Sequence, residues 1–149
     1  MANVRDYIKI NPIDKQSNVA VGVIFPFNAE GVFYSSYTTA EQVKSNLLNV
    51  LLTEPGERFF KPRFGVGLRN YLFENITNVN ALEERIRKQV EIYIPEVEIT
   101  SITVLKPEDS HQLSISITYK NINNSEADTI QVNFNTDNNT IQENETFGY

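Results

Sequence analysis

Apolar positions along this chain change period near residue 95, recurring every three or four residues before it and every second residue after it. Val43, Leu47, Leu48, Leu51 and Leu52 share one helical face behind Thr38, an N-cap residue with Glu41 in the capping-box position. This predicts a helix over about residues 40–52, stopped by Pro55-Gly56. Leu82, Ile86 and Val90 make a second stripe and predict a helix over about 81–93, ended by Pro95. Its other faces carry Glu83 with Arg87 and Glu84 with Lys88, i,i+4 pairs that read as a solvated surface and are worth about 0.3 kcal/mol each. Between these two, Leu68 and Leu72 beside the exposed pair Arg69 and Asn70 predict a shorter helix over about 67–74.

Beyond Pro95, Val97 and Ile99, then Ile102 and Val104, mark a strand with a register change near Ser101. Leu113, Ile115, Ile117 and Tyr119 alternate with Ser114, Ser116 and Thr118, and Ile130, Val132 and Phe134 alternate again. Turns at 106–112 and 121–128 complete an antiparallel meander of three strands with one buried face. The expected fold class is therefore α+β, with three helices packed on a mostly antiparallel β-sheet ending in a C-terminal meander.

The flanks are less patterned. Residues 1–18 are mixed and polar, with turn signals at Asn11-Pro12 and Asp14, and read as an arm with at most a short extended piece around Ile8 and Ile10 that orders on a partner. VAVGVIFPF, Val19 to Phe27, is β-branched and aromatic, but Gly22 and Pro26 demote it to an edge strand or extended segment before a turn at 28–31. From Asn135 the chain is rich in asparagine and threonine and reads as a polar tail. The expected organisation is an arm over 1–18, one α+β domain over 19–134 and a tail over 135–149.

Composition narrows the chemistry. The 149 residues suffice for one domain with its own core, and the absence of cysteine excludes disulfides, thiolate metal sites and thiol redox chemistry. A net charge of −6 argues against nonspecific nucleic-acid binding, although Arg58, Lys61, Arg63 and Arg69 form a candidate local basic patch. No apolar run approaches the ~20 residues that span a bilayer, and MANVRDYIKI lacks the apolar core of a signal peptide. The expectation is a soluble chain with no nucleic-acid, membrane or small-molecule ligand and no cofactor.

One stretch resists reading as a linker or as a single helix. Leu51 to Glu74, LLTEPGERFFKPRFGVGLRNYLFE, sets Pro55, Gly56, Pro62, Gly65 and Gly67 among Phe59, Phe60, Phe64 and Phe73. The prolines and glycines fix or relax the backbone at set places, and the four rings are expected to bury apolar area beside them. Gly65-Val66-Gly67 lacks the third glycine and the preceding strand of a dinucleotide site, and no phosphate-binding loop motif is present. The single histidine, His111, falls in an expected hairpin turn near Glu108 and Asp109, a pattern of an exposed turn residue and not of a zinc site. Glu54, Glu57 and Glu74 are the carboxylates a glycan hydrolase would need, but nothing selects a pair, and Glu57 and Arg58 read first as a structural ion pair or a backbone cap inside the loop.

Thr53, Gly56-Glu57-Arg58, Pro62, Phe64-Gly65-Val66-Gly67-Leu68 and Leu72-Phe73-Glu74 together resemble the signature of the baseplate wedge family of contractile phage tails. The likeness extends to the FPF segment, to Tyr37-Thr38-Thr39 and to the meander, over roughly residues 19–134. It implies a non-enzymatic structural subunit of the virion tail baseplate, made in the host cytoplasm and related to a type VI secretion baseplate component. Such a subunit joins the wedge core to the first sheath ring and nucleates sheath assembly by strand addition at an open sheet edge. On this chain the implied partners are other wedge proteins, through Ile94, Pro95 and Glu96, and the tail sheath protein, through the strand bearing Ile130, Val132 and Phe134. Gly56, Glu57, Arg58, Pro62, Phe64, Gly65, Gly67, Leu68 and Phe73 form the structural loop. The chain departs from the family where Glu-Pro-Arg is often found, since Ile94-Pro95-Glu96 keeps only the proline and reverses the final charge. The alternative implied by some family labels is a lysozyme-like hydrolase of cell-wall glycan, for which no residue here speaks; a free-standing adaptor of the same fold is a third reading.

Overall fold

The computed structural model describes residues 12–24, 34–73, 79–106, 112–122 and 127–135. Helix α1 spans Thr39–Leu52 and opens on the capping box, with the Thr38 side chain accepting from the Glu41 N–H and the Glu41 carboxylate accepting in return. Asp14 adds a second anchor, its carboxylate accepting from both the N–H and the hydroxyl of Thr39 at 2.7 and 2.6 Å. A carboxylate at a helix N-terminus also meets the favourable end of the helix dipole. Asp14 itself sits in a single 3-10 turn, Pro12–Lys15. The extended piece expected around Ile8 and Ile10 lies outside the described residues, as do the FPF segment, His111, Glu74 and positions 136–149.

Among the described residues of the segment 19–27, expected as an edge strand or extended piece, Gly22–Val23, here β1, pairs with β2, Ser35–Ser36, and the N–H groups of Val21 and Ile24 extend the pairing to Ser36 O and Tyr34 O. This small antiparallel pair lies beside the start of α1, where Ser36, fully buried, donates its hydroxyl to Gln42 at 2.7 Å.

Helix α2 spans Val79–Tyr93, and Leu82, Ile86 and Val90 are its buried stripe, as the spacing predicts. The expectation of three helices is corrected to two. Residues 68–71 turn through i to i−3 bonds, Asn70 N–H to Gly67 O and Tyr71 N–H to Leu68 O, and only Asn70–Phe73 completes a helical turn. Gly67, at φ 72°, cannot begin an α-helix, which is why the apolar spacing misleads there.

Strands β3 (Val97–Leu105), β4 (Gln112–Asn121) and β5 (Ala127–Asn135) form the expected antiparallel meander in the order β3-β4-β5. The register shifts between Ile99 and Ser101, a bulge that moves the inward positions from Val97 and Ile99 to Ile102 and Val104. Without the extra residue a strict alternation would turn half of the strand's apolar side chains to solvent. Leu113, Ile115, Ile117 and Tyr119 of β4 and Ile130 and Val132 of β5 complete the buried face, which shares one core with α1 and α2. β4 is central, so among the described residues β5 occupies one edge of the sheet. Among the described residues no helix is long and apolar enough to cross a membrane.

Candidate functional site

The segment after α1 owes its shape to the carbonyls that the helix leaves unpaired at its C-terminus. Thr53 satisfies Asn49 O with its N–H and its hydroxyl, at 3.1 and 2.6 Å. The chain then leaves and returns, so that Val66 N–H donates to Val50 O, Leu68 N–H to Leu51 O and Gly67 N–H to Thr53 O, at 2.9, 3.2 and 3.0 Å. The returning strand of the loop is thus the helix cap. It passes so near the helix that a Cβ on Gly65 would strike the Thr53 carbonyl, and Gly65 also holds φ at 101°. Only glycine meets both demands without strain.

A second set of contacts fastens the loop to α2. Gln89 accepts from Gly65 N–H at 2.9 Å through Oε1 and donates to Arg63 O at 3.1 Å through Nε2, so one amide satisfies two loop backbone groups. Phe64, 6% exposed, meets Tyr93 edge to face with centroids 4.8 Å apart. The Arg58 guanidinium lies 3.9 Å over the Phe64 ring and Lys61 Nζ is 5.7 Å from the Tyr93 ring, so each ring of the edge-to-face pair also has a cation beside it. Tyr71 O accepts from Lys106 Nζ at 3.0 Å, which ties the far end of the loop to the end of β3.

Most of the residues expected to build the loop are brought together here. Glu57 serves as a backbone cap, its carboxylate accepting from Glu54 N–H at 2.9 Å, and Gly56 N–H donates to Pro62 O across the tip. Leu68 is fully buried, and Phe73 ends the helical turn. Phe59 and Phe60 correct the expectation of burial, being 91% and 93% exposed. They lie at the tip, beyond the reach of α2, where the backbone contacts that hold the turn leave no apolar surface to cover them. Gln89 and Tyr93 were not foreseen. Their signal is that they sit i,i+4 on α2, flanking the buried stripe.

The two expected partner regions lie apart from this loop. Ile94 is buried and bonded on both sides, donating to Val90 O and accepting from Val97 N–H, while Pro95 is exposed and Glu96 half-buried. Pro95 rims an open cleft of about 390 Å³ that is also lined by Arg87, Glu91, Glu98 and Ile122. Ile130 and Val132 pack into the core from β5, and Phe134 is paired with Leu113 in the register. Among the described residues no group of three or more histidines or carboxylates is placed to hold a metal ion.

Four similarities bear on this architecture. A protein from Geobacter sulfurreducens, described as a tail lysozyme, superposes with a TM-score of 0.57 over 66% of this chain and 91% of its own, at 23% identity. A baseplate chain of the anti-feeding prophage superposes with a TM-score of 0.51 over 70% of this chain and 83% of its own, also at 23% identity. At that identity both likenesses concern the fold alone. Baseplate wedge protein gp25 of Enterobacteria phage T4 is 33% identical over 84 residues, 55% of this chain and 64% of that protein, so the match spans less than two thirds of its length. The family model for baseplate wedge protein gp25 matches residues 38–126, which take in both helices, the capped loop and the first two meander strands. With more than half of its length matched, the chain belongs to the gp25 family of baseplate wedge proteins.

Proposed function

We propose that this chain is a structural subunit of a contractile-tail baseplate, in the virion, where it connects the wedge core to the first sheath ring and seeds sheath assembly. Residues 19–134 act as its single α+β domain, with residues 1–18 as an arm and 135–149 as a polar tail. The observation that carries the reading is the match of the family model over α1, the loop, α2 and the start of the meander. The loop suits the task because it locks α1 to α2 through backbone bonds and a single buried ring, so surfaces on either side keep a fixed relation.

The sheath contact in this reading is strand addition on β5. That strand lies at an edge of the sheet, and an incoming arm pairs with main chain whatever its side chains. Ile130 and Val132 are buried and hold β5 on the core. The wedge-core contact is placed at Pro95 and Glu96 beside the open cleft, with Ile94 supporting them from the core. The sequence difference at this point implies a partner surface adapted to a carboxylate in place of the family's arginine.

A role without catalysis fits the loop as built, in which Glu57 acts as a backbone cap, one carboxylate oxygen accepting from Glu54 N–H. Native mass spectrometry of wedge proteins co-expressed with this chain tests the assignment, and hydrogen exchange tests the edge. We expect a stoichiometric complex, and slower amide exchange confined to β5 when sheath protein is added. A chain left out of the complex would contradict the wedge role, and unchanged exchange in β5 would contradict strand addition. Clearing of a peptidoglycan suspension by the wild type but not by Glu57→Gln would instead favour a hydrolase.

A further inference from the structure

The loop is anchored on both sides, yet it presents two phenylalanine rings to solvent at its tip. Phe59 and Phe60 are 91% and 93% exposed and stand edge to face with centroids 5.4 Å apart. Neither adds to the core, although burial of such a side chain is favourable. Their backbone is held by Gly56 N–H on Pro62 O and Lys61 N–H on Arg58 O, at 2.9 and 3.1 Å. Arg58 on the Phe64 ring and Gln89 on Arg63 O fasten the residues to either side. Large apolar side chains on a turn already ordered in this way dock with little further loss of freedom.

Charge identifies the kind of surface that receives them. Arg58, Lys61 and Arg63 flank the pair against two carboxylates of the same loop, Glu54 and Glu57, so the tip carries a positive excess on a chain that as a whole carries −6. A complementary surface is apolar at its centre and acidic at its rim. An anionic bilayer fits less well, because the acidic remainder of the chain is repelled by it.

We propose that Phe59 and Phe60 plug into an apolar socket rimmed by carboxylates on a neighbouring wedge protein. This rests on the wedge-subunit reading and adds a third contact surface to it, separate from Pro95 and from β5. The test compares wild type with the double variant Phe59→Ser/Phe60→Ser for binding to a complex of the wedge proteins encoded with this chain, produced without it. A second arm replaces Phe60 by p-benzoylphenylalanine in the co-expressed complex and maps the photo-crosslink.

We expect the double variant to keep the wild-type melting temperature, since both rings are already in water, and to bind at least about 30-fold more weakly. The crosslink is expected on another wedge protein, at an apolar site flanked by Asp or Glu. Equal binding of the two forms would overturn the proposal while leaving the wedge role intact. So would a crosslink confined to this chain's own arm or tail or to a second copy, or binding to phosphatidylglycerol vesicles that the double variant loses. Failure of the wild type itself to bind would remove the wedge role and the socket together, and is distinguishable from the other results.

Discussion

Gly65 carries two constraints at once, a φ of 101° and a backbone approach that leaves no room for a Cβ beside the Thr53 carbonyl. Gly65→Ala is expected to cost about 1–3 kcal/mol from the backbone conformation alone, with the steric contact added, and a urea midpoint equal to wild type would contradict this. Phe64 is buried, against Tyr93 and under Arg58. Phe64→Ala is expected to cost about 3–5 kcal/mol, readable in the same unfolding measurement. Tyr119 offers a pH signature. Burial, and then the Asp128 carboxylate that accepts its hydroxyl at 3.1 Å, hold its pKa well above the usual tyrosine range. The folded state therefore keeps a proton that the unfolded state releases above about pH 10, so this contribution is full below that pH and is lost as pH rises. Tyr119→Phe is expected to flatten the alkaline fall in melting temperature; an equally steep fall in both proteins would show that Tyr119 has no part in it.

At the scale of elements, the loop is a helix cap extended into a connector. Gln89 is its hinge to α2, and Gln89→Leu leaves Gly65 N–H and Arg63 O without that partner. The expected cost is about 1–3 kcal/mol, with faster amide exchange at Gly65, and unchanged exchange would show that α2 does not hold the loop. These contacts also explain how much could be read in advance. Both long helices and all three meander strands were legible, because Leu82, Ile86 and Val90 or Leu113, Ile115 and Ile117 repeat at the period of one element. The bulge near Ser101 was legible for the same reason, as the apolar set changes parity there. The short helix was misjudged because Leu68 and Leu72 have helical spacing while Gly67 breaks the backbone they would need. Phe59 and Phe60 were misjudged because apolar character was equated with burial, and their exposure depends on where the turn points. The grip of Gln89 was hidden because it joins residues 24 and 26 positions apart, a distance over which local pattern carries no information.

For the whole molecule, the proposed wedge role is that of a part whose work is placement. Two helices, a capped loop and a bulged sheet share one core, and three surfaces leave it in fixed directions: the Pro95 cleft, the β5 edge and the Phe59-Phe60 tip. The central claim is that this chain gives the baseplate its capacity to start a sheath. The most direct measurement assembles baseplates from the other wedge proteins with and without purified chain, adds sheath protein, and counts sheathed particles by negative-stain electron microscopy. Sheaths that grow only on baseplates containing the chain are the predicted result; sheaths that grow equally well without it would contradict the claim.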